Sequence, residues 1–117
     1  MRVYHLTNDL MLSSQAANMA RRQGVEYAHG ATLNSVFEAP ETAKVALILW
    51  DLGCQSESLA QAVGQLHAMA PPARVVAYAP HVHEDRLAAA RAAGCDEVLS
   101  RGQFSRELAR LLAGPSS

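Results

Sequence analysis

Six apolar residues in a row, Val45-Ala46-Leu47-Ile48-Leu49-Trp50, end abruptly on a carboxylate, Asp51. An apolar run of this length, with Gly53 just after it, has the pattern of a strand buried on both faces. In open α/β sheets, chemistry gathers outside the carboxyl ends of the strands, which is where Asp51 falls. A second acid, Asp9, stands in the polar turn Thr7-Asn8-Asp9 after the short apolar stretch Val3-Tyr4-His5-Leu6. Taken singly, each carboxylate is expected to be solvated or to accept N–H groups of its own turn. The remaining reactive side chains carry weaker signals. His81 and His83 form a His-Val-His triplet, but a structural zinc site wants four ligands and no partner cluster is evident, so loop histidines are expected. His5, inside a strand, is expected to be a core histidine with a local hydrogen bond. Cys54 and Cys95 are far apart in sequence and read as free, packed thiols of a reducing compartment. Neither a Ser-His-Asp arrangement nor a Gly-rich phosphate cradle is present, because the seven glycines are scattered at turns.

The elements that must position these groups can be read in order. The chain has 117 residues, half of them apolar, with a net charge of −1, which fits one ordinary globular domain spanning 1–113 with a frayed tail at 114–117. No basic run marks a nucleic-acid patch. The longest apolar run falls far short of the roughly 20 residues that span a bilayer. Met1-Arg2-Val3 enters a strand pattern directly, the start expected of a cytoplasmic protein without an export signal. Strands are predicted at 3–6, 25–28, 45–50, 74–78 and 97–100, the second with the alternation of an edge. Helices are predicted at 10–23, 32–38, 84–93 and 105–112, with another from an N-cap at Ser56 to about Met69. Arg21 and Arg22 sit where cations suit the first helix dipole, Gly24 and Gly94 are placed as caps, and Pro40, Pro71-Pro72 and Pro80 act as stops. Strict alternation of five strands and five helices means an α/β fold with a parallel sheet and helices on both faces. The strand order 2-1-3-4-5 fits because the first, third and fourth runs are the most apolar. In a strand, Trp50 faces away from Asp51.

At the strand ends Asn8-Asp9, Asp51, Ala79 and Arg101, the chain resembles the receiver domains of bacterial two-component response regulators (CheY-like, flavodoxin-like). The segment Ala88-Ala89-Ala90-Arg91-Ala92-Ala93-Gly94-Cys95-Asp96-Glu97-Val98-Leu99 is similar to that family's Ala-rich helix, turn and last strand. The resemblance implies that Asp51 holds the phosphoacceptor position and that Asp9, Asp51 and the Gly53 carbonyl are the candidate magnesium ligands. It also shows departures. Asn8 replaces the first acid of the pair, Ala79 the Ser or Thr that contacts the phosphoryl group, Arg101 the lysine, Gly102 the following proline, and Val98 an aromatic that moves with the missing hydroxyl. Losing a carboxylate weakens a magnesium site without abolishing it, since magnesium keeps several waters. Arg for Lys is not a conservative exchange at a tight site, and Ala79 has no hydrogen bond to donate. The resemblance also places His81 over the pocket.

The reading is a degenerate receiver, or pseudo-receiver: not an enzyme, with no cofactor beyond at most weakly held magnesium. It is expected to act as a phosphorylation-independent interaction module of two-component-type signalling. The partner, another protein or a second copy, would meet the fourth helix, last strand and last helix at His83, Glu84, Leu87, Val98, Arg106 and Arg110. No direct contact with nucleic acid or membrane is expected. One alternative is a receiver that still accepts a phosphoryl group at Asp51 with magnesium. Another is a flavodoxin-like domain holding a small anion through Arg101 and loop N–H groups, which has fold analogy alone behind it.

Overall fold

A computed structural model of the chain describes residues 2–38, 45–54, 58–68 and 73–113. Expectations for Pro40, Ser56, Pro71-Pro72 and the tail at 114–117 lie outside them. In chain order the elements are β1 (Arg2–Leu6), α1 (Leu10–Arg22), β2 (Glu26–Gly30), α2 (Leu33–Glu38), β3 (Val45–Asp51), α3 (Leu59–His67), β4 (Arg74–Ala79), α4 (Glu84–Ala92), β5 (Glu97–Ser100) and α5 (Arg101–Leu112), with a 3₁₀ turn at Leu52–Cys54. All strand pairs are parallel and the sheet order is β2-β1-β3-β4-β5, as predicted.

The period-2 alternation of the strands divides the core into two layers. Val3, Leu47, Leu49, Val76, Tyr78 and Leu99 face α1 and α5, where Leu12, Ala16, Phe104, Leu108 and Leu112 meet them. Tyr4, Leu6, Ile48, Trp50, Val75, Ala77 and Ala79 face the other way, onto α2, α3 and α4. Trp50 is therefore buried opposite Asp51. The register sets Leu6 beside Trp50 and Asp51 beside Tyr78, so the ends of β1, β3 and β4 converge on one rim.

The helix ends show why the chain turns where it does. Asp9 caps α1 by accepting the N–H groups of Met11 and Leu12. Gly24 and Gly94 have φ of 69° and 95°, the left-handed region that side chains avoid, and they close α1 and α4 as predicted. Two boundaries differ from the sequence reading. Ser58 caps α3, two residues after the expected Ser56. The last helix begins at Arg101 instead of 105, because Ser100 and Gln103 form a reciprocal capping box that satisfies two otherwise orphaned N–H groups.

Candidate functional site

The ends of β1 and β3 bring Asp9 and Asp51 to the same rim, and both carboxylates are occupied by the protein's own donors. The Gly53 N–H donates to Asp51 Oδ1 at 2.9 Å, and the Thr7 hydroxyl donates to Oδ2 at 2.8 Å. Thr7 Oγ1 in turn accepts the Asp9 N–H at 3.0 Å, so one hydroxyl ties the two acidic segments together. Asp9 Oδ1 accepts the α1 N-terminal N–H groups at 3.0 and 3.1 Å, while Oδ2 takes the guanidinium of Arg101. The Leu12 N–H, Arg101 and the Met11 N–H together hold Asp9 below the usual carboxylate range. Arg101 reaches it from the first position of α5, an orientation set by the Ser100 cap.

Magnesium demands octahedral oxygen donors and gives up its waters reluctantly. Here a cation would have to displace Arg101 from Asp9 and compete with Thr7 and Gly53 at Asp51. Among the described residues no group of three His, Cys, Asp or Glu side chains is placed to hold a metal. The pocket as folded does not fit magnesium, because Arg101 already supplies the positive charge. Asn8 is exposed, and Ala79 is fully buried at the end of β4 beside Ser100.

Thr7 was not foreseen as a partner of Asp51, and neither were the partners of His5. The histidine is fully buried, yet its bonds are long-range: Nε2 lies 2.7 Å from the Tyr78 hydroxyl and Nδ1 lies 2.7 Å from the Tyr27 hydroxyl. Ser13 of α1 reaches the same Tyr27 hydroxyl at 3.1 Å. Burial, reinforced by His29, pushes the His5 pKa down to about 4, so the ring is neutral. Burial and then the charge of Asp51 push the Tyr78 phenol up. Tyr78 also stacks on Phe104 of α5, with centroids 3.9 Å apart.

Comparison with known proteins finds no matching family model and no matching curated protein. Solved structures do match. The BeF3-activated DrrB receiver domain superposes with a TM-score of 0.76 at 11% identity, covering 96% of this chain and 93% of that one. A response regulator from Thermotoga maritima gives 0.73 at 14% identity, covering 97% and 98%. The receiver domain of NtrX from Brucella abortus gives 0.73 at 16% identity, covering 95% and 93%. The fold is that of a receiver domain.

On this receiver fold the expected interface residues gather on one side, with different roles. His81, Glu84, Leu87, Arg91, Gln103 and Arg106 line a groove of about 600 Å³ between α4 and α5. Among the described residues neither Arg91 nor Arg106 has an acidic partner. Arg110 is already engaged, bonding Glu97 at 2.7 Å and Glu107 at 2.8 Å. His83 is exposed at the start of α4, and Val98 is half-buried against the core. Leu87 corrects the sequence reading. It is only 7% exposed, packs into the core with Ala90, and forms the groove's floor instead of standing on open surface. Cys95 is half-buried and free, its thiol raised by burial to about 11. The side chain of Cys54 is outside the described set. Among the described residues no helix is long and apolar enough to cross a membrane.

Proposed function

We propose that this chain is a receiver-fold interaction module of two-component-type signalling that works without phosphoryl transfer at Asp51. The observation that carries this reading is the Arg101–Asp9 pair. It places a fixed protein cation where phosphoryl transfer calls for a removable metal that bridges oxygens. Two further features support it. Ala79 has no side-chain donor for a phosphoryl oxygen, and Val98 has no ring to move. A switch needs contacts that differ between its two states, and neither residue offers any. The domain does no chemistry of its own on this reading and serves in the cytoplasm. A partner protein, or a second copy, reads a fixed surface on α4, β5 and α5, where the groove offers two arginines, Arg91 and Arg106, that have no acidic partner among the described residues.

The test has two arms. Incubation with a small phosphodonor and magnesium, followed by intact-mass measurement, is expected to leave the mass unchanged. Asp51→Asn is expected to leave partner binding or self-association within about threefold, roughly 0.7 kcal/mol. A stoichiometric mass gain lost in Asp51→Asn, together with lost binding, would establish the phosphoacceptor reading instead. That alternative has one observation in its favour: Asp51 is still partly exposed at the rim.

A further inference from the structure

The α4 wall of the groove carries a charge pattern of its own. It is formed by Glu84, Leu87, Ala88 and Arg91. These residues stand at i, i+3, i+4 and i+7, so they share one face of the helix. The two charges lie two turns apart, about 10.5 Å along the axis, too far to pair with each other. Both are exposed, and neither has an ion-pair partner among the described residues. An acid in the first turn and a cation in the last suit the dipole of their own helix. That preference fixes where they fall along α4, but it does not require both to face the groove.

We propose that the partner at this face is a second copy of the chain, docked with α4 antiparallel to α4 across a two-fold axis. This rests on the fixed docking surface proposed above and names what reads it.

Symmetry decides the partner. In a two-fold interface, a contact of residue i with residue j is repeated as j with i. An axis perpendicular to α4, through the midpoint of 84 and 91, lays Glu84 of one copy against Arg91 of the other, and Arg91 against Glu84. That midpoint falls between Leu87 and Ala88, the uncharged residues of the face. The same axis therefore sets the apolar centre of one copy on that of the other, with a charge pair on either side. Parallel docking in register would put Glu84 on Glu84 and Arg91 on Arg91. A partner that is acidic throughout suits Arg91 and Arg106 but meets Glu84, and a basic one meets both arginines. The α4 face is complementary to its own reverse. Exposed ion pairs contribute little singly, so two of them over a helix of nine residues make a weak dimer that salt loosens.

Sedimentation across a concentration series of the full chain tests this. The wild-type chain is expected to dimerise below about 1 mM and to dissociate as salt is raised. Glu84→Arg alone and Arg91→Glu alone each set like charges opposite each other at both pairs, and each is expected to weaken the dimer more than tenfold. Mixed one to one, the two variants regain both pairs. The introduced arginine of one meets the introduced glutamate of the other, and the native Arg91 of the first meets the native Glu84 of the second. That heterodimer is expected within about threefold of the wild-type dissociation constant. A chain carrying both substitutions is self-complementary again and is expected to dimerise as well, and denaturant unfolding checks that every variant is folded. A wild-type chain that stays monomeric at about 1 mM overturns the inference and leaves the face to a different protein. A wild-type dimer whose variants do not recover on mixing overturns the α4 seam. Dimerisation that requires a phosphodonor and magnesium overturns the phosphorylation-independent reading, while recovery on mixing still decides the seam.

Discussion

Thr7, Arg101 and His5 each settle a question at the scale of single atoms. Arg101 neutralises the pocket from within, so its removal should expose the acid pair. Arg101→Ala is expected to raise magnesium affinity by about tenfold, roughly 1.4 kcal/mol, measured by calorimetric titration. No gain would mean that Thr7 and Gly53, rather than Arg101, keep the metal out. His5 makes stability pH-dependent. The unfolded chain takes up a proton near pH 6.5, whereas the folded ring does so only near pH 4. Within that window acid favours the unfolded state, so the stability is full above it and falls as pH drops through it, by about 3 kcal/mol in all. Urea unfolding across the window should show this slope, and a flat profile would place His5 in contact with solvent. Leu87→Asp buries a charge in the α4 layer and is expected to cost about 3 kcal/mol or more, read as a fall in the unfolding midpoint.

At the scale of elements, the α5 cap orients Arg101. Ser100→Ala is expected to cost about 1 kcal/mol by denaturant unfolding and to loosen the Arg101–Asp9 pair. A loss below about 0.3 kcal/mol would show that packing of Phe104 and Leu108 alone sets the helix start. Most of the layout was legible in the sequence because period and punctuation agree in it. The run 45–50 and the Gly24 and Gly94 caps leave little choice of elements, and the greater apolarity of the first, third and fourth runs points to the strand order. The start of α5 was legible in principle, since Ser100-Arg101-Gly102-Gln103 has the spacing of a capping box. The inward face of α4 was not. Its run of alanines leaves Leu87 as the only large apolar side chain, and one residue defines no stripe. The partners of His5 were hidden for a different reason. Tyr27 and Tyr78 lie 22 and 73 residues away, and only the assembled sheet brings them together.

At the scale of the molecule, the two sides of the sheet have different duties. One carries the buried His5–Tyr27 and His5–Tyr78 hydrogen bonds beneath α1 and α5, and the groove lies at the β5 edge, where α4 of the other side meets α5. If the groove is the docking surface, Arg91→Glu with Arg106→Glu should weaken partner binding or self-association more than tenfold. Both arginines are exposed and unpaired among the described residues, so stability should hold within about 0.5 kcal/mol. Analytical ultracentrifugation or titration against the partner measures the first, and denaturant unfolding the second. Unchanged binding would move the docking surface elsewhere.

The strand order also dictates a sequence of events in time. β1 can pair with β2 as soon as residues 2–30 exist, but its other edge waits for β3 at residues 45–51. A chain leaving the ribosome at about 5–20 residues per second therefore carries an open apolar edge at Val3, Tyr4 and Leu6 for about a second or longer. Parallel pairing across such distances is slow compared with helix formation. The arrival of β3 between β1 and β4 is then the step that commits the molecule. Trp50, in the middle of that strand and 1% exposed once folded, changes its fluorescence when the step occurs.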